Sequence, residues 1–184
     1  MSISVRETGL AGVLEIQPQM HGDERGSFCE VWNADDFARH GIRTQFVQDN
    51  HSVSRQRWVM RGLHYQLRPY AQAKLVRVVR GSIFDVAADI HPASPTFGRW
   101  VGCTLDSEQR TLFWIPEGFA HGYVVLSETA DVAYKVTAEY AAHLDRGVLW
   151  SDPAIGIDWP VRDPIVSEKD RAQPTLDAVE KAFR

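Results

Sequence analysis

From residue 45 to residue 140 the chain presents one short alternating segment after another, each closed by glycine, proline or aspartate. "QFVQDNHSVS" (45–54), "WVMRGLHYQ" (58–66), "AKLVRVV" (73–79) and "SIFDVAADI" (82–90) come first, and "RWVGCTL", "TLFWI", "GYVVL" and "DVAYKVTAEY" continue the series. A period of two is the signature of strands. Many short strands with turn residues between them predict an all-β antiparallel sandwich or barrel. "AKLVRVV" and "SIFDVAADI" flank "RG" and predict a hairpin. Upstream, "GVLEIQP" (12–18) and "SFCEVWN" (27–33) read as strands on either side of a turn at "DERG". "NADDFARHG" (33–41) predicts a short helix: Asn33 caps it, Asp35 and Asp36 suit its positive end, and Gly41 stops it. The tail "TLDAVEKAFR" (175–184) predicts a second helix.

A length of 184 residues fits one domain with a full core. The net charge of −4 gives no bulk attraction to nucleic acid or anionic membranes. Two cysteines, Cys29 and Cys103, cannot build a disulfide framework and suit a reducing cytoplasm. The N-terminus lacks the basic start and apolar run of a signal peptide, and no apolar run is long enough to span a bilayer. No P-loop, dinucleotide fingerprint or serine-nucleophile elbow is present.

Three strands carry unusual chemistry. Alternation puts Phe46, Gln48, Asn50 and Ser52 on one face, and amides facing inward would line a pocket, since a dry core leaves them unpaired. Lys74 shares an apolar face with Val76 and Val78, while Arg77 points the other way. A lysine there is either a snorkelling side chain or a functional cation. Tyr134 lies with Val132 and Val136, as a core tyrosine would. His64 opens "HYQ", so Gln66 stands where a metal-binding β-barrel would carry its second histidine, and of the remaining ligand positions only His121 still offers an imidazole. Gln and a charged Lys are poor ligands, which predicts no metal.

Taken in order, "DERGSFCEVWN", "FVQDNHSVS", "RGLHYQ", "AQAKLVRVVRGSIFDVAADI", "SPTFGRW", "IPEGFAHGY", "AYKVTAEY", "GVLWSDPAIGIDWP" and "SEKD" closely resemble the dTDP-4-dehydrorhamnose 3,5-epimerase family, from about residue 3 to about residue 176. The resemblance implies a cupin-like jelly roll with a few short helices, no metal or other cofactor, and a cytoplasmic homodimer whose N-terminal strands cross to the partner. It implies a dTDP-linked 4-keto-6-deoxyhexose as substrate, inverted at C3 and C5 by proton removal and return. His64 then matches the family's base, Asp170 the carboxylate that orients it, Lys74 the cation beside the C4 oxygen, and Tyr134 the proton donor on the opposite face. Arg25, Glu30, Gln48, Asn50, Arg61, His121, Asp145 and Lys169 match substrate-binding positions.

Strict alternation puts Arg61 and His64 on opposite faces, so the resemblance calls for a bulge at Gly62. Asp145 stands where the family usually has a longer Glu. His91 replaces a common Arg, and Met20 an aromatic suited to stacking on thymine, which bears on nucleotide affinity. A single-carbon epimerase, a keto-isomerase on the same scaffold and a sugar-nucleotide sensor without turnover are the rival readings.

Overall fold

The computed structural model describes residues 3–182. The chain runs through β1 (Ile3–Glu7), β2 (Leu14–Pro18), β3 (His21–Asp23), β4 (Gly26–Phe28), α1 (Ala34–Arg39), β5 (Gln48–Ser54), β6 (Met60–Gln66) and β7 (Lys74–Arg80). It continues through β8 (Ser82–Asp89), β9 (Trp100–Asp106), β10 (Leu112–Ile115), β11 (Phe119–Val125), β12 (Ala130–Val136), β13 (Asp145–Gly147), α2 (Glu168–Arg171) and α3 (Leu176–Ala182). The expected terminal helix is thus present, although its last two predicted residues, 183 and 184, lie outside the described residues. Among the described residues no helix is long and apolar enough to cross a membrane.

Two antiparallel sheets face each other. One has six strands in the order β1-β2-β10-β7-β12-β5, and the other five in the order β13-β6-β11-β8-β9. Val76, Val78, Phe113 and Val132 from the first sheet meet Ile83, Ala87, Leu105, Tyr123 and Val125 from the second in the central cluster. Each fully buried aliphatic side chain there contributes about 1.5–3 kcal/mol of transfer free energy. The short hairpin of β3 and β4 pairs only with itself, and all six of its residues are exposed.

The helix at 34–39 forms as its caps dictate. Asn33 Oδ1 accepts the backbone N–H groups of Asp35 and Asp36 at 3.1 and 3.2 Å, and Gly41 turns the chain away at φ +85°. The segment 27–33 is not one strand, because β4 stops at Phe28 and Val31 and Trp32 pack instead against the cluster of Phe37, Ile42 and Trp114.

The predicted hairpin of 73–79 and 82–90 is also not formed. β7 and β8 belong to different sheets, and Gly81, at φ +79°, turns the corner between them. A Cβ on Gly81 would lie 2.1 Å from the Thr129 carbonyl oxygen, so only glycine fits this corner. The two strands pack face to face, with Val76 and Val78 against the cluster that holds Ile83 and Ala87. Alternation marked the inner face of β7 correctly, but in β8 it favoured Phe84, Val86, Ala88 and Ile90, whereas Ile83 and Ala87 face the central cluster; nor could it tell a neighbour in the sheet from a neighbour across the core.

Candidate active site

The site begins with a bulge. His64 pairs with His121 and Arg61 with Tyr123, so β6 spends three steps where β11 spends two. Gly62, at φ +125°, takes up the extra residue, and a Cβ there would sit 2.5 Å from Gly122 Cα. The bulge brings Arg61 and His64 to the same side, where both line a cavity of about 860 Å³. Gln48, Asn50, Lys74, His121, Tyr134, Asp145, Lys169 and Asp170 line the same cavity. Arg25 and Glu30 do not. Arg25 sits at the exposed turn of the β3–β4 hairpin, ion-paired with Asp23. Met20 and His91 also lie off this wall, Met20 beside Arg110 and His91 on a separate cleft.

His64 Nε2 lies 2.6 Å from Asp170 Oδ1. The histidine side chain is 31% exposed and the carboxylate 6%, so the ring opens to the cavity while its partner stays behind it. Ser167 caps α2 by accepting the Asp170 backbone N–H at 3.1 Å, which fixes the carboxylate's position. Burial pushes the Asp170 carboxyl up, but the His64 hydrogen bond and charge, with help from the Gly62 and Ser167 contacts, outweigh it and hold the group below the usual carboxylate range. An ionised carboxylate only accepts, so in the neutral ring Nε2 carries the proton and Nδ1 keeps its lone pair.

Lys74 is buried, and its ammonium donates to the His64 carbonyl oxygen at 3.3 Å. Burial lowers its pKa to about 8, against the pull of Asp85 and Asp145. Tyr134 stands on the inner face of β12 opposite Val76, and burial raises its hydroxyl above the ordinary range, so it holds its proton at neutral pH. The amide face of β5 does point inward: Gln48, Asn50 and Ser52 line the cavity while Phe46 joins the aromatic cluster of Trp32 and Trp114. Asp145 Oδ2 accepts from Lys169 Nζ at 2.5 Å and from the Tyr140 hydroxyl at 3.4 Å.

Gln66 turns its amide away from any metal-ligating role. It donates to the carbonyls of Tyr70 and Glu139 and accepts the Ala141 N–H at 2.7 Å, which anchors the segment carrying Tyr140. Gln48 Oε1 accepts the Tyr140 N–H at 2.9 Å from the other side. Tyr140, 58% exposed at the cavity rim, and Asp85, wholly buried against His121, are the residues that sequence reasoning left without a role. An aspartate inside the apolar run "IFDVAA" was the available signal for the second.

The barrel is cupin-like, and its interior is furnished for proton transfer between fixed groups. The chain belongs to the dTDP-4-dehydrorhamnose 3,5-epimerase family, whose model matches residues 7–178. It is 51% identical over 178 residues to the dTDP-4-dehydrorhamnose 3,5-epimerase of Shigella flexneri, covering 96% of this chain and 98% of the relative. Its fold superposes with a TM-score of 0.93 on a dTDP-6-deoxy-D-glucose-3,5-epimerase from Legionella pneumophila in complex with dTDP-4-keto-L-rhamnose, at 44% identity over 98% of this chain and 96% of that one. The dTDP-4-dehydrorhamnose 3,5-epimerase of Bacillus anthracis, solved with TDP and pyrophosphate bound, matches at 0.92 and 41% identity over 95% and 99% of the two chains.

Proposed function

We propose that the cavity carries out the family's reaction with His64 as base, Lys74 as the cation at the C4 oxygen and Tyr134 as the acid on the far face. The protein is an isomerase, a dTDP-4-dehydrorhamnose 3,5-epimerase of dTDP-L-rhamnose biosynthesis. It converts dTDP-4-dehydro-6-deoxy-D-glucose to dTDP-4-dehydro-L-rhamnose. The observation that carries the assignment of roles is the 2.6 Å His64–Asp170 contact, with Lys74 Nζ 3.3 Å from the carbonyl of that same histidine.

A proton α to a ketone leaves only if the enolate is stabilised as it forms. Nδ1 of His64 takes the proton, and the Asp170 carboxylate stabilises the imidazolium that results. Charge then develops on the C4 oxygen beside Lys74, a cation already in place in a partly dry site, where it acts without reorganisation. Tyr134 returns a proton from the other side, and the carbon is inverted. Repetition on the second side of the ketone completes the double epimerisation. Gln48, Asn50, Arg61, His121, Asp145 and Lys169 hold the nucleotide and sugar, and the exposed Tyr140 ring offers the base a stacking face.

Arg25 and Glu30 enter through a second copy. The β3–β4 hairpin is exposed on both strands and carries Phe28 at 59% exposure. In our reading this N-terminal segment crosses to the partner of a homodimer and closes its cavity, each chain being a single epimerase domain. In this reading the enzyme works in the cytoplasm, which the two free cysteines support.

The test is turnover of dTDP-4-dehydro-6-deoxy-D-glucose in deuterated water, with the product trapped by a downstream reductase. Deuterium at both C3 and C5 of an inverted product is expected. Label at one carbon alone would make the protein a single-carbon epimerase, and recovered, unlabelled substrate would make it a binding protein.

A further inference from the structure

Asp85 lies on β8 with none of its surface exposed. Oδ1 is 2.6 Å from His121 Nε2, and Oδ2 has no hydrogen-bond partner among the described residues. A buried carboxylate oxygen without a partner is costly, so the site needs a compensating charge. Lys74, on β7 of the opposite sheet beside the inner-face residues Val76 and Val78, feels the charge of Asp85 across the core without a direct ion pair, and is itself incompletely satisfied. An ammonium has three donors, and among the described residues only the His64 carbonyl receives one. A buried ammonium in that state sheds its proton unless an anion stands by.

The other charged groups around Lys74 are already committed. Asp170, on α2, is bound to His64, and Asp145, on β13, to Lys169. From β6, β11 and β12 the facing groups are His64, His121, Tyr123 and Tyr134, with Cys103 of β9 beside Asp85, and burial keeps His121, both tyrosines and the thiol uncharged near neutrality. Arg61 and Lys169 add positive charge, which makes a free carboxylate more necessary. Asp85 supplies the one buried carboxylate oxygen among these groups that lacks a partner. Lys74 and His121 reach the cavity wall, and Asp85 lies behind them.

We infer that Asp85 is a positioning residue for the epimerisation: its carboxylate keeps Lys74 an ammonium and fixes the ring of His121, so that the cation is ready at the ketone oxygen before substrate arrives. The inference rests on the reading of Lys74 as the enolate-stabilising cation. Asp85 acts from behind the cavity wall and changes neither bonds nor protons of the substrate itself.

The experiment is Asp85→Asn, which keeps shape and removes charge. The chain has four lysines, so the Lys74 side-chain resonance in lysine-labelled protein is assigned by its loss in Lys74→Met. Removing a nearby anion should lower the Lys74 titration by about 1–3 pH units. The alkaline limb of kcat should move down with it, and kcat at pH 7 should fall by about 2- to 100-fold. An unmoved Lys74 titration would overturn the inference, as would lost activity with no displacement of the alkaline limb. A lowered titration with full turnover at pH 7 would instead overturn the role of Lys74 on which it rests. If Asp85→Asn fails to fold, the coupling is read in reverse. In Lys74→Met the Asp85 carboxyl must titrate at higher pH than in the unaltered protein, and no displacement there rejects the pairing.

Discussion

His64 and Asp170 are 106 positions apart in the chain and meet at 2.6 Å across the wall of the cavity. One comes from a central strand and the other from a four-residue helix at the end of the fold. Their separation makes the orientation of the imidazole ring a property of the completed fold. His64→Ala should lower kcat by at least about 10²–10⁴-fold, since it deletes the proposed general base. Affinity for dTDP, measured by calorimetry, should change little, because the nucleotide contacts are elsewhere. Asp170→Asn should be milder, leaving the ring in place with a weaker orienting partner. A His64→Ala enzyme with most of its turnover would return this histidine to a purely structural role.

Lys74 sets two opposite pH dependences. Its pKa in the folded protein is about 8, below the 10.5 of an unhindered lysine. On the proposed role activity needs the ammonium, so turnover should fall as pH rises through about 8. Stability moves the other way. Below about 8 both folded and unfolded chains carry the proton, and the folded state bears the full burial cost. Between 8 and 10.5 the unfolded chain binds more protons than the folded one, so this group's contribution to unfolding free energy rises with pH. Denaturant titrations of the unaltered protein and Lys74→Met across that window should show a difference that narrows or reverses in favour of lysine. Lys74→Met should also lower kcat much more than it raises KM, because the charge acts on the enolate and not on the neutral ketone.

Gly62→Ala tests the bulge. The new Cβ would meet the Gly122 backbone at 2.5 Å, and the φ of +125° is itself strained for any other residue. A cost of about 2–3 kcal/mol is expected, a fall in Tm of roughly 4–12 °C for a chain of this size. The folded fraction should lose activity as well, since Arg61 and His64 share a side only through this residue. An active variant of unchanged Tm would show that the barrel repacks freely here.

The strands were legible because they alternate, and the period alone grouped Gln48, Asn50 and Ser52 on one face of β5, although only the fold shows that this face turns inward. Which strand joined which sheet was not legible. β7 and β8 both have apolar inner faces, and a tight glycine corner looks the same in sequence whether it pairs them or sends them to opposite layers. Asp85 was lost for a related reason: nearly every residue of β8 is buried, on both faces, so alternation no longer separates inside from outside. The Gly62 bulge was demanded only by the family's pairing of Arg61 with His64. Asp170 was legible only through the likeness of "SEKD", because one turn of helix has no periodicity to read.

Arg25 and Glu30 supply a test of the exchanged hairpin. If each cavity combines His64 of one chain with Arg25 of the other, His64→Ala and Arg25→Ala are both poor enzymes, yet their mixture is not. In a mixed dimer one site carries both lesions and the other neither. Random reassociation of equal amounts makes half the dimers mixed, so about a quarter of the full complement of sites should be intact. Unfolding and refolding the two variants together, then assaying against each refolded alone, reads this out. No recovery would place Arg25 outside the site.

Tyr134→Phe separates proton removal from proton return. His64 and Lys74 remain, so the enolate should still form. With no donor on the far face, the proton comes back from the side it left. In deuterated water the variant should therefore place deuterium in recovered substrate, with retained configuration, faster than it makes epimerised product. The phenyl ring keeps the shape beside Val76, so the fold is preserved, at a cost of about 1–3 kcal/mol if a buried partner of the hydroxyl is left unpaired. Burial raises the tyrosine's pKa, so in the unaltered enzyme its donor form persists through neutral pH and the acid step alone sets no alkaline limit below that of Lys74. Nuclear magnetic resonance of the recovered sugar nucleotide distinguishes the outcomes. Full inversion at C3 and C5 by the phenylalanine variant would remove Tyr134 as the acid and leave a water molecule or another side chain to deliver the proton.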